Sequence, residues 1–168
     1  GDEGCRTIAP ALRTMPNLEE LFLGGNNIGD EGCRTIALAL RTMTNLTYLS
    51  LGSNNIGDEG CRTIAPALRT MPNLKILYLS GNNIGDEGLA VLSNAIPLLE
   101  WLELESNKIG NVGCQCLLEL IENDSLQSLG ILGLKRNYNI SSEELKTKFK
   151  RVWRKKRKCK DNLYFFLN

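Results

Sequence analysis

The sequence predicts an α/β solenoid, with a curved parallel sheet inside and a row of helices outside. Three observations predict it. One block of 28 residues recurs almost letter for letter at 1–28, 29–56 and 57–84. Each block ends in the leucine pattern LxxLxLxxN. Each also begins with GDEG followed by apolar residues at helical spacing. A period near two beside a period near four means that strand and helix alternate along the chain.

The strands come first in the justification. The pattern reads Leu18, Leu21, Leu23, Asn26, then Leu46, Leu49, Leu51, Asn54, then Leu74, Leu77, Leu79, Asn82. Two looser copies, 85–109 and 110–140, carry Leu99, Leu102, Leu104, Asn107 and Leu129, Leu132, Leu134, Asn137. In LxL both leucines face one side of a short strand. The Asn follows where the chain leaves the strand. A side-chain amide there can satisfy backbone groups of neighbouring turns that no strand partner reaches. Asn26, Asn54, Asn82, Asn107 and Asn137 therefore read as a structural ladder.

The helices follow from the other half of the block. Gly4, Ile8 and Leu12 lie four apart, as do Gly32, Ile36, Leu40 and Gly60, Ile64, Leu68, which suits one helical face. Asp2, Asp30, Asp58 and Asp86 stand where an N-cap is expected. Met15-Pro16 and Met71-Pro72 read as helix stops. Pro10 and Pro66 fall inside the helices and are expected to bend or shorten them. One helix and one strand cannot bury their own apolar faces, but stacked copies can. Each buried Leu or Ile contributes about 1.5–3 kcal/mol.

Over residues 1–140 the pattern resembles the leucine-rich repeat, whose period is about 20–29 residues. The GDEGxxxIxxxL segment is similar to the ribonuclease-inhibitor-like subclass, as in nucleotide-binding oligomerisation-type receptors, Ran GTPase activators and tropomodulins. The resemblance implies a right-handed leucine-rich-repeat solenoid, a horseshoe with the parallel β-sheet concave and the α-helices convex. The repeats are 1–28, 29–56, 57–84, 85–109 and 110–140. Residues 141–168 then form a basic terminal cap. Ser141 with Glu144 reads as its capping box. Leu145, Phe149, Val152 and Trp153 fall on one helical face, and NLYFFL (162–167) suits an edge strand.

Composition bounds the function. Residues 1–140 carry 10 Lys/Arg and 16 Asp/Glu, a net −6, whereas 141–168 carry 10 and 3, a net +7. Cys5, Cys33 and Cys61 recur 28 residues apart. Copies stacked at that spacing sit too far apart on the helical side for a disulfide. They read as reduced, buried residues in a cytoplasmic protein, although N-x-[ST] also occurs at Asn45, Asn123 and Asn139. No apolar run approaches the 18 residues of a membrane span. The start at Gly1, inside a repeat, reads as a fragment whose first core face lacks a cover.

The chain contains no histidine, which excludes Ser-His-Asp and Cys-His catalysis and most zinc sites. Cys114-x-Cys116 lacks a second pair, and GGNNIGDEG lacks the GK[ST] of a phosphate loop. The expectation is a protein that is not an enzyme and uses no cofactor or metal.

What the blocks change is informative. The first and third differ at four positions: Glu19/Lys75, Glu20/Ile76, Phe22/Tyr78 and Gly24/Ser80. All lie in the strand segment. With the leucines inward, Glu20, Phe22, Tyr48, Ser50, Ile76, Tyr78, Trp101, Glu103 and Glu105 point across the concave sheet. A constant scaffold with a varied face suggests a surface for a protein partner. Its aromatic residues, taken as largely exposed, are favoured anchors. Glu100, Glu103 and Glu105 add an acidic rim suited to a partner of basic character.

Other readings stand beside this one. The chain could be the recognition part of a larger receptor. The resemblance to Ran activators implies regulation of a GTPase. The run RKKRK, with Lys155, Lys156, Arg157 and Lys158, suits nucleic acid, calmodulin or a membrane surface, and leaves a nuclear location open. A monomer is expected.

Overall fold

The computed structural model describes residues 1–96 and 98–156, together with the strand at 163–164. Helices and strands alternate: α1 Asp2–Leu12, β1 Glu20–Phe22, α2 Asp30–Leu40, β2 Tyr48–Ser50, α3 Asp58–Leu68, β3 Ile76–Tyr78. Then follow α4 Asp86–Ser93, β4 Trp101–Glu103, α5 Asn111–Glu122, β5 Ile131–Gly133, α6 Glu143–Lys156 and β6 Leu163–Tyr164. The strands make one parallel sheet in chain order. Its register stacks equivalent leucines, with Leu21, Leu49, Leu77, Leu102 and Leu132 in one row. Each helix packs on the next. The architecture is a right-handed solenoid with the sheet concave and the helices convex.

The core lies between the two layers. Leu49, Leu51, Leu77, Leu79, Leu102 and Leu104 meet Ile36, Leu40 and Ile64 there, all fully buried. The first repeat is less covered. Ile8, Leu18 and Leu23 are only partly buried, whereas their counterparts Ile36, Leu46 and Leu51 are fully so.

The aspartates do not cap their own helices. Gly29, Gly57, Gly85 and Gly110 occupy the N-cap positions in extended conformation. Each Asp reaches instead to the next repeat. Asp30 Oδ1 accepts from the Gly57 N–H (2.7 Å) and the Gly60 N–H (2.9 Å). Asp2 does the same for Gly29 and Gly32, and Asp58 for Gly85 and Gly88. Two orphan donors at a helix start are thereby satisfied by a carboxylate at the positive end of the dipole. This explains the second glycine of GDEG. A Cβ at Gly60 would stand 2.6 Å from Asp30 Oδ1.

The prolines do not set helix length. α1, α2 and α3 each have 11 residues, although α2 carries Leu38 where the others carry proline. Pro10, Leu38 and Pro66 lie on the exposed side, where water serves the carbonyl that proline leaves unbonded. Nor do Met15-Pro16 and Met71-Pro72 stop the helices, since α2 ends at the same place ahead of Met43-Thr44. Thr14, Thr42 and Thr70 close the last turns, donating hydroxyl bonds to the carbonyls of Ala11, Ala39 and Ala67. The fourth helix is shorter, at 8 residues, which accounts for the closer spacing of Asn82 and Asn107.

The terminal helix starts one residue later than its expected capping box. Ser142 Oγ accepts from the Leu145 N–H at 3.2 Å, while Ser141 Oγ accepts from Asn111 Nδ2. Helix α6 packs on α5 and buries Leu145, Phe149, Val152 and Trp153. In β6, Leu163 opposes Leu132 and Tyr164 opposes Gly133. The rest of NLYFFL, with Arg157 and Lys158 of the basic run, lies outside the described residues.

Candidate functional site

Strand alternation builds two columns on the concave face. One holds Glu20, Tyr48, Ile76, Trp101 and Ile131; the other holds Phe22, Ser50, Tyr78, Glu103 and Gly133. Glu105 and Lys135 follow at the strand ends.

The aromatic residues are not largely exposed, as the sequence suggests. Only Phe22 is, at 62%; Tyr48, Ile76, Tyr78 and Trp101 are half-buried. The rings lean on each other diagonally, from one column to the other. Centroids are 4.8 Å apart for Phe22–Tyr48 and 5.6 Å for both Tyr48–Tyr78 and Tyr78–Trp101. Ser50 opposes both Phe22 and Tyr78 in the register, and its small side chain leaves room for the rings to reach Tyr48. The result is one continuous aromatic strip across four strands. Burial pushes the Tyr48 hydroxyl up, and nearby Glu20 adds to the effect.

Glu103 also departs from expectation. It lies on the concave face but is only 8% exposed. The Trp101 Nε1–H donates to its Oε1 at 2.7 Å. A Cβ added at Gly133 would collide with its carboxylate, so the absent side chain on β5 makes room for it. Burial raises the Glu103 pKa, the Trp101 bond opposes that, Glu105 raises it further and Lys135 lowers it. The expected acidic rim is also narrower than the sequence suggests, because Glu100 turns to Lys75 at 3.2 Å. Glu103 and half-buried Glu105 remain.

The asparagines follow the C-terminal end of each strand, where the chain turns. Asn54 Oδ1 accepts from the Asn26 and Ile28 N–H groups, and its Nδ2 donates to the Leu23 and Leu51 carbonyls. Asn82, Asn107 and Asn137 repeat the pattern. Asn26 is exposed, and among the described residues its side chain donates to Gly24 alone, within its own turn. The residue before each of these Asn has a positive φ: Gly25, Ser53, Gly81, Ser106 and Arg136.

On the terminal helix, Lys156 pairs with Asp124 at 2.8 Å. Lys155 is exposed and makes no ion pair among the described residues. No group of three or more His, Cys, Asp or Glu among the described residues could hold a metal ion, and no helix among them is long and apolar enough to cross a membrane. An apolar groove lies between the loops after α3 and α4, lined by Leu68, Met71, Leu74, Ile96 and Leu99.

Residues 44–94 match the family described as Leucine Rich repeats (2 copies), and residues 14–37 and 97–118 match that described as Leucine Rich repeat. The chain belongs to the leucine-rich-repeat proteins. These leucine-rich repeats are of the ribonuclease-inhibitor-like kind, and solved structures share their fold. A Caenorhabditis elegans tropomodulin C-terminal domain is 19% identical, with TM-score 0.72, covering 94% of this chain and 93% of its own. Leiomodin-1 Actin-Binding Site 2 is 15% identical, with TM-score 0.70, covering 90% and 88%. At these identities the likeness is one of fold. No curated protein matches the leucine-rich-repeat sequence itself.

Proposed function

We propose that the chain is a non-enzymatic interaction module whose concave face binds a protein partner. The observation that carries the reading is the aromatic strip Phe22–Tyr48–Tyr78–Trp101. The leucine core does not need these rings, and they stand where the near-identical blocks differ. Aromatic anchors of this kind dominate binding energy at interfaces. Residues 1–140 supply the repeats in this reading, and 141–168 cap them. Free cysteines at Cys5, Cys33, Cys61, Cys114 and Cys116 support a reducing, cytoplasmic setting, and the chain acts as a monomer.

Leiomodin-1 Actin-Binding Site 2 shares this fold, which makes actin the first partner to test. The tail readings are weaker. A calmodulin or membrane element needs a free apolar face, and that of α6 is buried.

The test is co-sedimentation with actin and affinity capture from lysate with mass spectrometry. The baits are the chain, a Phe22→Ala/Tyr78→Ala/Trp101→Ala variant, and a variant with Lys155, Lys156, Arg157 and Lys158 neutralised. Circular dichroism checks that each is folded. A partner lost only by the aromatic variant supports the reading. A partner retained by that variant and lost with the basic run overturns it.

A further inference from the structure

We propose that the concave face carries a seat for an arginine side chain at the Trp101 end of the aromatic strip. The proposal deepens the concave-face reading and rests on it in taking that face as the one a partner meets. Four features converge there.

The first is an under-compensated carboxylate. Glu103 is more than nine-tenths buried, yet its one hydrogen bond among the described residues is the neutral indole N–H of Trp101, on Oε1. Its Oε2 accepts none from them. A buried carboxylate is costly unless it is paired or well hydrogen-bonded. It is tolerable here if a cation arrives from outside.

The second is the local charge. Among the described residues, Glu105 acts on Glu103 as a like charge and Lys135 as the opposing cation. Two carboxylates against one ammonium leave room for one further positive charge.

The third is position. Oε2 of Glu103 lies over Gly133, in the place that a side chain of β5 would otherwise fill, so no β5 side chain screens it. The fourth is shape. Tyr48 and Tyr78 each have ring neighbours on two sides, so their faces are taken up within the strip. Trp101 ends it, beside Ile131. A flat apolar wall next to a paired acidic edge suits a guanidinium better than an ammonium. The guanidinium is planar, weakly hydrated and able to donate to two carboxylates at once, while the arginine stem packs on the wall.

The seat is testable without knowing the partner. The chain has two tryptophans, so two indole N–H signals appear in a 15N-edited NMR spectrum. Nα-acetyl-arginine N-methylamide is titrated into the protein, with the citrulline and lysine analogues as controls. The expected result is a saturable shift of the Trp101 indole signal and none at Trp153, which α6 buries on its inner face. Citrulline leaves both unmoved, and lysine binds more weakly than arginine. Glu103→Gln, which keeps an acceptor for the indole, weakens arginine binding roughly tenfold. Glu105→Gln weakens it in the same direction.

An unmoved Trp101 signal, an equal response to citrulline or lysine, or an unchanged affinity in Glu103→Gln overturns the seat. The two proposals fail separately. Arginine binding without any concave-face protein partner overturns the interaction reading and leaves the seat. A concave-face partner without arginine binding does the reverse.

Discussion

Asn54 and Asn26 are chemically identical rungs with unequal consequences. Asn54 is buried and serves four backbone groups in two turns. Asn54→Ala strands the buried Ile28 N–H, and a loss of about 3 kcal/mol is expected. Asn26→Ala, at an exposed rung, should cost under about 0.5 kcal/mol. Urea unfolding of both variants measures the contrast, and equal losses would refute the ladder account. The cysteines supply a pH dependence at the same scale. Burial pushes the Cys33 and Cys114 thiols up to about 12, and pushes Cys61 up as well. An unfolded thiol ionises near pH 8.5. Above that pH the unfolded chain releases protons that the folded chain keeps, so stability falls as pH rises toward 12. Denaturation midpoints should be flat in this respect below about pH 8 and drop by pH 10. Cys33→Ala and Cys114→Ala should each flatten the drop.

The GDEG segment belongs to the scale of elements. Its second glycine has two fates. At Gly60 a Cβ would press on Asp30 and on Ile56 Cγ2, at 2.6 and 2.8 Å, whereas at Gly4 nothing lies within 4 Å. Gly60→Ala should therefore destabilise by about 1–3 kcal/mol. Gly4→Ala should stabilise by roughly 0.5–1 kcal/mol, because alanine is the better helix former. Thermal melts of the pair decide it, and a stabilising Gly60→Ala would remove the inter-repeat cap from the account. The turns before the asparagines offer a second case. Arg136 holds φ at 57° where Gly25 and Gly81 hold about the same angle. A left-handed conformation costs an L residue about 1–2 kcal/mol. Arg136→Gly should thus raise stability by about 1 kcal/mol, less the glycine's own entropy, and a lower melting temperature would contradict it.

At the scale of the whole molecule, the described helices and strands pack on their neighbours in chain order, so stability is a chain of nearest-neighbour terms. The two ends differ. Ile8, Leu18 and Leu23 are partly open at the first repeat, while α6 closes the last with Phe149 fully buried. Phe149→Ala should cost about 3–5 kcal/mol. Hydrogen exchange should quicken first in α5 and β5, next to the cap, while α2 and α3 keep their protection. Uniform loss of protection would mean that the solenoid unfolds as one unit. Exposed ion pairs along the outer helices, such as Arg62 with Glu87 and Arg34 with Glu59, contribute little at physiological salt.

Much of this fold was legible before any coordinates. Repetition located the strands and helices, the LxL spacing fixed which side of each strand is buried, and the recurring Asn marked the ladder. The stacking of equal blocks follows from them, because no single block can bury its own apolar face. Tertiary structure decided what spacing cannot express. Asp30 caps the helix of the next block, Ser50 gives way to rings from both neighbouring strands, and Glu103 sinks into the space over Gly133. The physical reason is common to all three. Periodicity tells which face of an element a side chain leaves from, but its partner lies about one repeat away in sequence. Only the packed register determines which group it meets across that gap.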